Sequence, residues 1–262
     1  MNVRPKKNLG QHFLKDEHIA SEIAATISEG APFVSHPEWL KLPIVEVGPG
    51  MGVLSKYLID TKRDVTAVEL DMESVDFLSH LYPDLKVVAA DFLRLDLSTI
   101  YPGEFALIGN YPYNISSQIF FKVLDNMDRI PVVAGMLQKE VAERICSKPG
   151  SKVYGILSVL LQAWYDCEYL FNVEPYVFNP QPKVRSGVLR LTRNSRTSLG
   201  CNPQLFKKVV KTAFGQRRKT LRNSLSSLMG PGSKAAESPM MGERPERLSV
   251  EQFIELTNLI SS

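Results

Sequence analysis

The sequence predicts an α/β fold with a mainly parallel sheet, followed by a small, all-helical domain. Between residues 44 and 192, short apolar runs alternate with amphipathic stretches, a pattern typical of strands and helices packed in layers. After Thr192 the apolar spacing is helical throughout. We therefore predict a first domain over residues 1–195 and a second, helical domain over residues 196–262.

The elements of the first domain follow from local patterns. Residues 16–27 repeat an isoleucine at every fourth position behind a capping aspartate, which indicates a helix. Short apolar runs predict strands at residues 44–47, 64–70, 85–89, 105–108 and 131–137. Amphipathic stretches predict helices at residues 53–59, 72–81, 116–124, 139–146 and 156–164. Residues 166–173 and 186–192 are predicted to form a final strand pair.

The second domain is predicted from apolar residues at helical spacing. Three stretches show it, at residues 204–214, 217–228 and 250–260. The segment at 230–242 is rich in Gly, Ser and Pro, so we predict a loop between the last two helices.

The composition is that of an ordinary globular protein, with 44% hydrophobic and 23% charged residues in a chain of 262. The three cysteines are scattered and form no C-x-x-C pair, which argues against a disulfide framework or a zinc site. We predict no metal. No signal-peptide core follows the basic start, and no run reaches the roughly 20 apolar residues of a membrane span. We expect a cytoplasmic protein with no membrane partner.

Charge is distributed unevenly along the chain. Residues 1–15 hold four basic and no acidic residues, and residues 193–222 hold nine basic and no acidic residues. The stretch between them, 16–192, has 15 basic and 23 acidic residues. Two cationic segments around an acidic middle favour a polyanionic partner, with nucleic acid first. A solvated surface with a flexible tail is the alternative interpretation.

Three predicted strands end in residues suited to an adenine nucleoside. The first is followed by Gly-Pro-Gly-Met-Gly, beginning at Gly48, which lets the backbone approach a ligand but lacks the pattern of a dinucleotide or phosphate loop. The second ends at Glu69, whose carboxylate can accept both ribose hydroxyls. The third is followed by Asp91, which can accept an adenine amino group. With no required phosphate site, this set favours S-adenosylmethionine over NAD; an ordinary strand–helix turn explains the glycines alone.

Another strand ends in Asn110-Tyr111-Pro112-Tyr113. The amide oxygen of Asn110 and the carbonyl of Pro112 can accept the two hydrogens of a planar amine, and the ring of Tyr113 can stack on a base. This group favours an adenine amine as the target of the chemistry. A Pro-containing turn with a surface tyrosine is the plainer interpretation.

Six segments carry a family resemblance that runs nearly from end to end. They are residues 7–14, 46–52, 110–116, 138–142, 178–186 and 214–223. These segments resemble the ribosomal RNA adenine N6-dimethyltransferases, and the first and last are most similar to the bacterial KsgA/RsmA branch, which modifies two adjacent adenosines in a hairpin near the 3′ end of 16S rRNA. The resemblance implies a Rossmann-like class I methyltransferase fold with a seven-stranded sheet, S-adenosylmethionine as cofactor, and 16S rRNA in the small subunit or its precursor as partner. We expect a monomer.

The resemblance also implies roles for individual residues. It implies cofactor contacts at His12, Leu14, Gly48, Glu69, Asp91 and Asn110. It implies that Asn110, Pro112 and Tyr113 hold the target amine and that Phe178 closes on the flipped base. Tyr111 stands where the family usually has Leu or Ile, and we expect its side chain to point away from the amine. The longer stretch at 35–42 receives no role.

Three other functions remain open on the sequence. A 23S rRNA adenine methyltransferase of the macrolide-resistance type shares the Asn-x-Pro-Tyr group but usually lacks Gln-Arg-Arg-Lys-Thr-Leu-Arg-Asn, which this chain has at 216–223. An RNA-binding assembly factor would also use the cationic segments. An amino-directed DNA methyltransferase would use a similar tetrad, usually led by Asp or Asn with two prolines.

Overall fold

The computed structural model describes residues 3–230 and 232–261, which form two compact units. One unit comprises the chain up to Ala142 together with Cys167–Arg193, and the other comprises Glu143–Asp166 and the chain from Asn194 onward. The predicted division at residue 195 lies next to Asn194. Residues 143–166, which the prediction assigned to the first domain, group with the second unit.

Strands and helices alternate as the apolar pattern requires. The strands within the described residues are β1 (Phe13–Leu14), β2 (Ile44–Val47), β3 (Val65–Glu69), β4 (Lys86–Ala89), β5 (Ala106–Asn110), β6 (Val132–Gln138), β7 (Tyr165–Val173), β8 (Phe178–Asn179) and β9 (Ser186–Arg193). The α-helices are α1 (Glu17–Ala25), α2 (Ala31–Ser35), α3 (Val53–Asp60), α4 (Met72–Leu81), α5 (Ser116–Asp125), α6 (Lys139–Cys146), α7 (Ile156–Gln162), α8 (Pro203–Gly215), α9 (Leu221–Ser224) and α10 (Val250–Ser261).

Seven strands form one sheet in the order β4-β3-β2-β5-β6-β9-β7. The pairs from β4 to β6 are parallel, and β9 runs antiparallel to β6. Strands β2 and β3 are buried along their whole length, which explains their continuous apolar character. The prediction of an α/β fold with a mainly parallel, seven-stranded sheet is confirmed.

The N-terminal segment is tied into this unit by a second, two-stranded sheet that the sequence pattern did not predict. Strands β1 and β8 pair antiparallel, with Leu14 opposite Phe178. The predicted helix after β1 is confirmed as α1, and the side chain of Asp16 caps it by accepting the backbone N–H groups of His18 and Ile19.

Residues 35–42 form a 3-10 helix, Pro37–Lys41, anchored in the same unit. The ring of Trp39 is buried. The guanidinium of Arg63 donates to the carbonyls of Leu42, Ile27 and Trp39 at 2.6, 3.2 and 3.4 Å. Arg63 thus binds two carbonyls of this segment and one carbonyl of Ile27, which gives residues 35–42 a structural role in the fold.

The second unit is helical, but two of its predicted elements differ. The predicted helix at 217–228 is wrong in extent, because α-helical structure covers only α9 and is followed by a separate 3-10 helix, Ser226–Leu228. Three consecutive cations, Arg217 to Lys219, offer no apolar stripe to bury, whereas Leu221 and Leu225 are fully buried. The predicted loop at 230–242 contains two 3-10 helices, and its Met241 is buried.

Two features are absent from residues 3–230 and 232–261. These residues contain no helix with the length and apolar character to cross a bilayer. Over the same residues, no group of three or more His, Cys, Asp or Glu side chains is arranged to hold a metal ion.

Candidate active site

The site lies where two neighbouring parallel strands end. Val47 of β2 pairs with Gly109 of β5, so Gly48 and Asn110 are the next positions on adjacent strands. The order of the sheet reverses direction here, since β3 follows β2 on one side and β5 lies on the other. Such a switch point at the carboxyl ends of the strands is where open α/β sheets bind ligands.

The glycine turn after β2 opens this edge of the sheet. Gly48 and Gly50 adopt positive φ angles of 66° and 56°, which favour glycine. A Cβ at Gly50 would stand 2.9 Å from the ring of Phe13, so glycine also permits the N-terminal segment to approach. The backbone N–H of Gly50 points to Glu69 and donates to its Oε2 at 3.1 Å. The turn therefore helps to orient a carboxylate of the next strand.

Glu69 is held from both sides by backbone. Its Oε1 accepts the N–H of Asp71 at 2.8 Å, and the residue is only 6% exposed. Burial raises the pKa of Glu69, while these backbone N–H groups act in the opposite direction. The result is an oriented carboxyl group in the wall of the pocket, with the remaining lone pairs of its oxygens available to hydroxyl donors.

Asp91 lies in the turn after β4, also in the pocket wall. Its Oδ1 accepts the N–H of Leu93 at 2.9 Å, and Arg94 stands 3.5 Å from its Oδ2. Phe92, which is 4% exposed, lines the same wall. An acceptor beside an aromatic ring suits an adenine that both stacks and donates its amino hydrogens.

Glu46, inside β2, is a functional candidate that the sequence analysis did not select. It lines the pocket, is 1% exposed, and its Oε2 accepts the hydroxyl of Ser55 at 2.6 Å. Burial raises its pKa to about 8, and the nearby carboxylate of Glu69 acts in the same direction. A charged residue inside an apolar strand was the available sequence signal.

The amide of Asn110 is fixed by the N-terminal segment. Its Nδ2 donates to the backbone carbonyl of His12 at 3.0 Å. Within the described part of the chain, Oδ1 of Asn110 has no hydrogen-bonded donor. The carbonyl of His12 thus determines which end of the amide is the acceptor, and leaves that oxygen available for an incoming amine.

The side chain of Tyr111 points into the sheet, as the sequence predicted. Its hydroxyl donates to the carbonyl of Ala134 at 2.7 Å, and its ring meets Phe120 edge-on. Glycine at position 135 makes this possible, because a Cβ there would lie 2.8 Å from the ring and 2.2 Å from the carbonyl of Gly109. The phenol of Tyr111 is therefore part of the core packing, and Asn110 before it keeps its parallel pairing with Met136 of β6.

Pro112 and Tyr113 line the pocket beside Asn110. The carbonyl of Pro112 accepts the N–H of Ile115 at 3.2 Å and keeps a second lone pair. The hydroxyl of Tyr113 forms a short hydrogen bond to the hydroxyl of Ser186, and its ring centroid lies 5.3 Å from that of His12. Burial raises the pKa of Tyr113. Ser186, which sequence reasoning did not select, thus anchors the ring; its place at the end of segment 178–186 was the available signal.

His12 and Leu14 also line the pocket, whereas Phe178 does not. His12 donates through Nδ1 to the carbonyl of Pro180 at 2.8 Å. Phe178, in β8, is 1% exposed, and its side chain belongs to the hydrophobic core. Two residues earlier, Tyr176 is 67% exposed and is the accessible aromatic of this segment. The structure therefore brings together all the predicted site residues except Phe178.

The N-terminal segment crosses the pocket as a strap, defined here as residues 6–14. The ammonium of Lys6 forms a short ion pair with Asp71, and the amide of Gln11 donates to the same carboxylate at 3.3 Å. Although burial acts in the opposite direction, these two donors lower the pKa of Asp71. The cationic start of the chain is therefore used partly within the molecule.

The charge of the pocket wall restricts its ligand. Three carboxyl side chains line it, at Glu46, Glu69 and Asp91. Among the described lining residues there is no lysine or arginine. With a pKa of about 8, Glu46 adds a hydrogen-bonding group more than a negative charge, so the charge of the wall comes mainly from Glu69 and Asp91. This wall disfavours phosphate and favours a cationic ligand with hydroxyl and amino donors.

Comparisons with known proteins agree with this geometry. A family model described as ribosomal RNA adenine dimethylase matches residues 2–262. A protein of Parabacteroides distasonis named ribosomal RNA small subunit methyltransferase A is 60% identical over 257 residues, covering 97% of this chain and 93% of that protein. A protein of the same name from Porphyromonas gingivalis is 53% identical over 264 residues, covering 99% of each.

Solved structures have the same fold. A dimethyladenosine transferase from Plasmodium falciparum aligns with a TM-score of 0.75 at 21% identity, over 94% of this chain and 96% of that one. The 23S rRNA methyltransferase ErmE aligns with a TM-score of 0.67 at 26% identity, over 95% of this chain and 100% of that one. Both similarities span the helical second unit as well as the sheet.

Proposed function

This chain belongs to the ribosomal RNA adenine dimethylase family and is an rRNA adenine dimethyltransferase, and we propose that it uses S-adenosylmethionine to dimethylate N6 of two adjacent adenosines in the 3′-terminal hairpin of 16S rRNA. The name small subunit methyltransferase A, carried by relatives 53–60% identical over nearly the whole chain, supports the small-subunit target. The observation that carries the chemistry is the Asn110 amide, whose acceptor end is fixed at the mouth of an acidic pocket.

The residues of the pocket fit the proposed cofactor. Glu69 is oriented to accept ribose hydroxyls, and Asp91 is placed to accept the adenine amino group beside Phe92. His12 and Leu14 from the strap, Gly48 from the glycine turn and Asn110 at the end of β5 complete the proposed contacts. When bound, S-adenosylmethionine supplies an electrophilic methyl group on a positively charged sulfur, for which a wall of carboxyl groups is electrostatically suitable.

We assign the activation of the target amine to Asn110 and Pro112. The lone pair of an adenine amine is delocalised into the ring and must be localised before nitrogen can attack. Two acceptors, Oδ1 of Asn110 and the carbonyl of Pro112, hold the amine hydrogens and favour the positive charge that develops on nitrogen. Alignment of the nucleophile with the methyl group contributes the proximity effect. The proton leaves to water, so no general base is assigned.

Tyr113 provides the stacking surface for an extruded adenine in this proposal, because Ser186 holds its hydroxyl and thereby fixes the position of the ring. Phe178 remains a prediction as the residue that closes on the base. Its ring is 1% exposed, so it would have to turn out of the core to do so.

The second unit is proposed to contact the RNA backbone. Of the cations in its basic segment, Arg218 and Lys219 are exposed, whereas Arg222 donates to the carbonyl of Ala236 at 3.0 Å and Arg217 stands 3.8 Å from Glu246. Lys208, Lys211 and Arg222 are exposed as well, and we assign phosphate contacts first to Arg218 and Lys219 among the cations at 217–222. A monomer and a cytoplasmic location remain predictions.

Mass mapping of methylated adenosines tests the proposal directly. The protein is incubated with S-adenosylmethionine and either small-subunit particles lacking the modification or 23S rRNA. We expect two adjacent N6,N6-dimethyladenosines in the 3′-terminal hairpin of 16S rRNA. Incorporation into 23S rRNA alone would transfer the assignment to the activity that ErmE's name describes.

A further inference from the structure

Lys122, on α5, is bound to the turn that carries Asp91. Its ammonium donates to the carbonyl of Leu93 at 3.1 Å and to the carbonyl of Leu95 at 2.6 Å. The same nitrogen lies 5.7 Å from the centroid of the Phe92 ring. One side chain from a helix therefore contacts three successive parts of a turn that is 27–31 residues earlier in the chain.

Both the backbone carbonyl and the side-chain carboxylate of Asp91 accept hydrogen bonds from the turn. The backbone N–H groups of Arg94 and Leu95 donate to the carbonyl of Asp91 at 3.0 Å, and its Oδ1 accepts the N–H of Leu93. This single turn uses its N–H groups but leaves the carbonyls of Leu93 and Leu95 without an acceptor role inside it. Lys122 supplies that missing donor, as a capping group does at a helix end.

The position of Lys122 costs solvation, which argues against an incidental surface contact. Burial lowers the pKa of Lys122, while Asp91, Asp96 and Asp125 act in the opposite direction. Its hydrogen bonds to the carbonyls of Leu93 and Leu95 are charge-assisted, and such bonds are stronger than those between neutral groups.

We propose that Lys122 is a positioning residue that fixes the Asp91 turn and thereby sets the selectivity of the pocket for adenine over other purines. This rests on the proposed function, in which Asp91 accepts the adenine amino group. Since Leu93 is the donor to Oδ1 and its own carbonyl is held by Lys122, loosening this carbonyl frees the carboxylate to turn.

The test compares two ligands that differ at the purine 6-position and at N1, where the second carries a hydrogen in place of a lone pair. S-adenosylhomocysteine has an amino group at the 6-position, and S-inosylhomocysteine has a carbonyl oxygen that would oppose Asp91. Affinities for both are measured by calorimetry on the wild type, Lys122→Met, Lys122→Arg, Asp91→Asn and Lys86→Met. Lys86 is the matched control, because it is an exposed cation on β4 that lies 5.8 Å from an aromatic centroid, that of Tyr101.

We expect the adenine preference to fall about tenfold in Lys122→Met, the scale of one charge-assisted hydrogen bond, and to return with Lys122→Arg. Lys86→Met should keep the wild-type ratio. An unchanged ratio of the two affinities in Lys122→Met, including equal weakening of both ligands, would overturn the inference. If Lys122→Met does not fold, Lys122→Gln carries the same comparison.

Failure of the underlying function gives a different result. A wild type that binds both ligands equally, or an Asp91→Asn variant that keeps the preference, would remove Asp91 from the adenine site. A preference that depends on Asp91 but not on Lys122 would overturn only the positioning role.

Discussion

The two halves of the pocket are built differently. In the cofactor half, Glu69 and Asp91 each accept a backbone N–H from two positions later, from Asp71 and Leu93, and Glu69 accepts a second one from Gly50, 19 positions earlier. In the target half the partners are remote. Asn110 is fixed by His12 across 98 positions, and Tyr113 by Ser186 across 73.

This difference separates two kinds of function. The carboxylates of the nucleoside half are oriented mainly by their own turns, with Lys122 holding the Asp91 turn from α5, whereas Asn110 and Tyr113 take their fixing hydrogen bonds from the strap and β9. We therefore expect variants in the first half to change cofactor affinity, and variants in the second half to change turnover at saturating cofactor. Four variants test that division, in order of decreasing effect on the reaction.

Asn110→Ala should have the largest effect. Removing the amide eliminates an acceptor that acts on charge developing at nitrogen, so kcat should fall about 10³-fold. Because Asn110 is also a proposed cofactor contact, S-adenosylhomocysteine affinity, measured by calorimetry, should fall too, but by no more than about tenfold if the two halves are separate. Asn172→Ala, which removes an exposed amide that accepts from Tyr169, is the control. A parallel loss of cofactor affinity in Asn110→Ala would show that the halves are not separable.

Glu69→Gln should act in the opposite way. Both oxygens of the carboxylate accept backbone N–H groups, and the amide nitrogen cannot accept one. We expect S-adenosylhomocysteine affinity to fall about 100-fold, with kcat at saturating cofactor within about threefold. The thermal midpoint is measured alongside to separate unfolding from lost binding. A kcat that falls as far as the affinity would contradict the division.

Ser186→Ala should lower kcat by about tenfold, because the Tyr113 hydroxyl loses its partner and the position of the ring is no longer fixed. Tyr113→Phe should have the same effect, and the double variant should be no worse than either, since all three break one hydrogen bond. Cofactor affinity should stay at the wild-type value. Additive losses in the double variant would mean that Ser186 acts on something other than Tyr113. Ser79→Ala, on the exposed side of α4, is the control.

Glu46→Gln should affect turnover least and should change the pH dependence of stability. A carboxyl group whose pKa is raised to about 8 in the folded state binds its proton more tightly than in the unfolded chain. It therefore destabilises the folded state as pH rises from about 4.5 to about 8, by at most about 1.4 kcal/mol per pH unit. Glutamine removes this slope.

Urea unfolding at pH 6 and pH 8.5 measures this change. The free energy of unfolding should fall less between the two values in Glu46→Gln than in the wild type or in Glu22→Gln, whose carboxylate is exposed on α1. Equal slopes in all three proteins would mean that Glu46 is ionised in the folded state throughout this range.

Much of the cofactor half could be predicted from the sequence, and particular residues show why. The turn after β2, the carboxylate that ends β3 and Asp91 each follow an apolar run, and parallel strands bring their ends to one edge. Asn110 and Tyr111 were predictable for the same reason. Glu46 and Lys122 were not, because the raised pKa of one and the carbonyl contacts of the other depend on burial and on neighbours from other elements.

The basic segments show the limit of reading charge alone. Both runs predicted a polyanionic partner, yet Lys6 is paired with Asp71, and Arg222 donates to the carbonyl of Ala236. A run of cations in the sequence gives the amount of positive charge, and only the folded chain determines which of these cations are bound to groups of the same molecule. The predicted helix at 217–228 was too long because burial also decides where a helix forms. Helix α9 begins only at Leu221, and Leu221 and Leu225 are the buried residues there.

By itself the sequence determined the sheet, its strand ends and the residue types gathered there, because side-chain periodicity and turn chemistry are local properties. The tertiary structure decided which carboxyl groups are buried, that the carbonyl of His12 orients the Asn110 amide, and that Phe178 lies in the core while Tyr176 is exposed. These depend on contacts between segments far apart in the chain, whose geometry is fixed only when the sheet, the strap and their neighbours pack together.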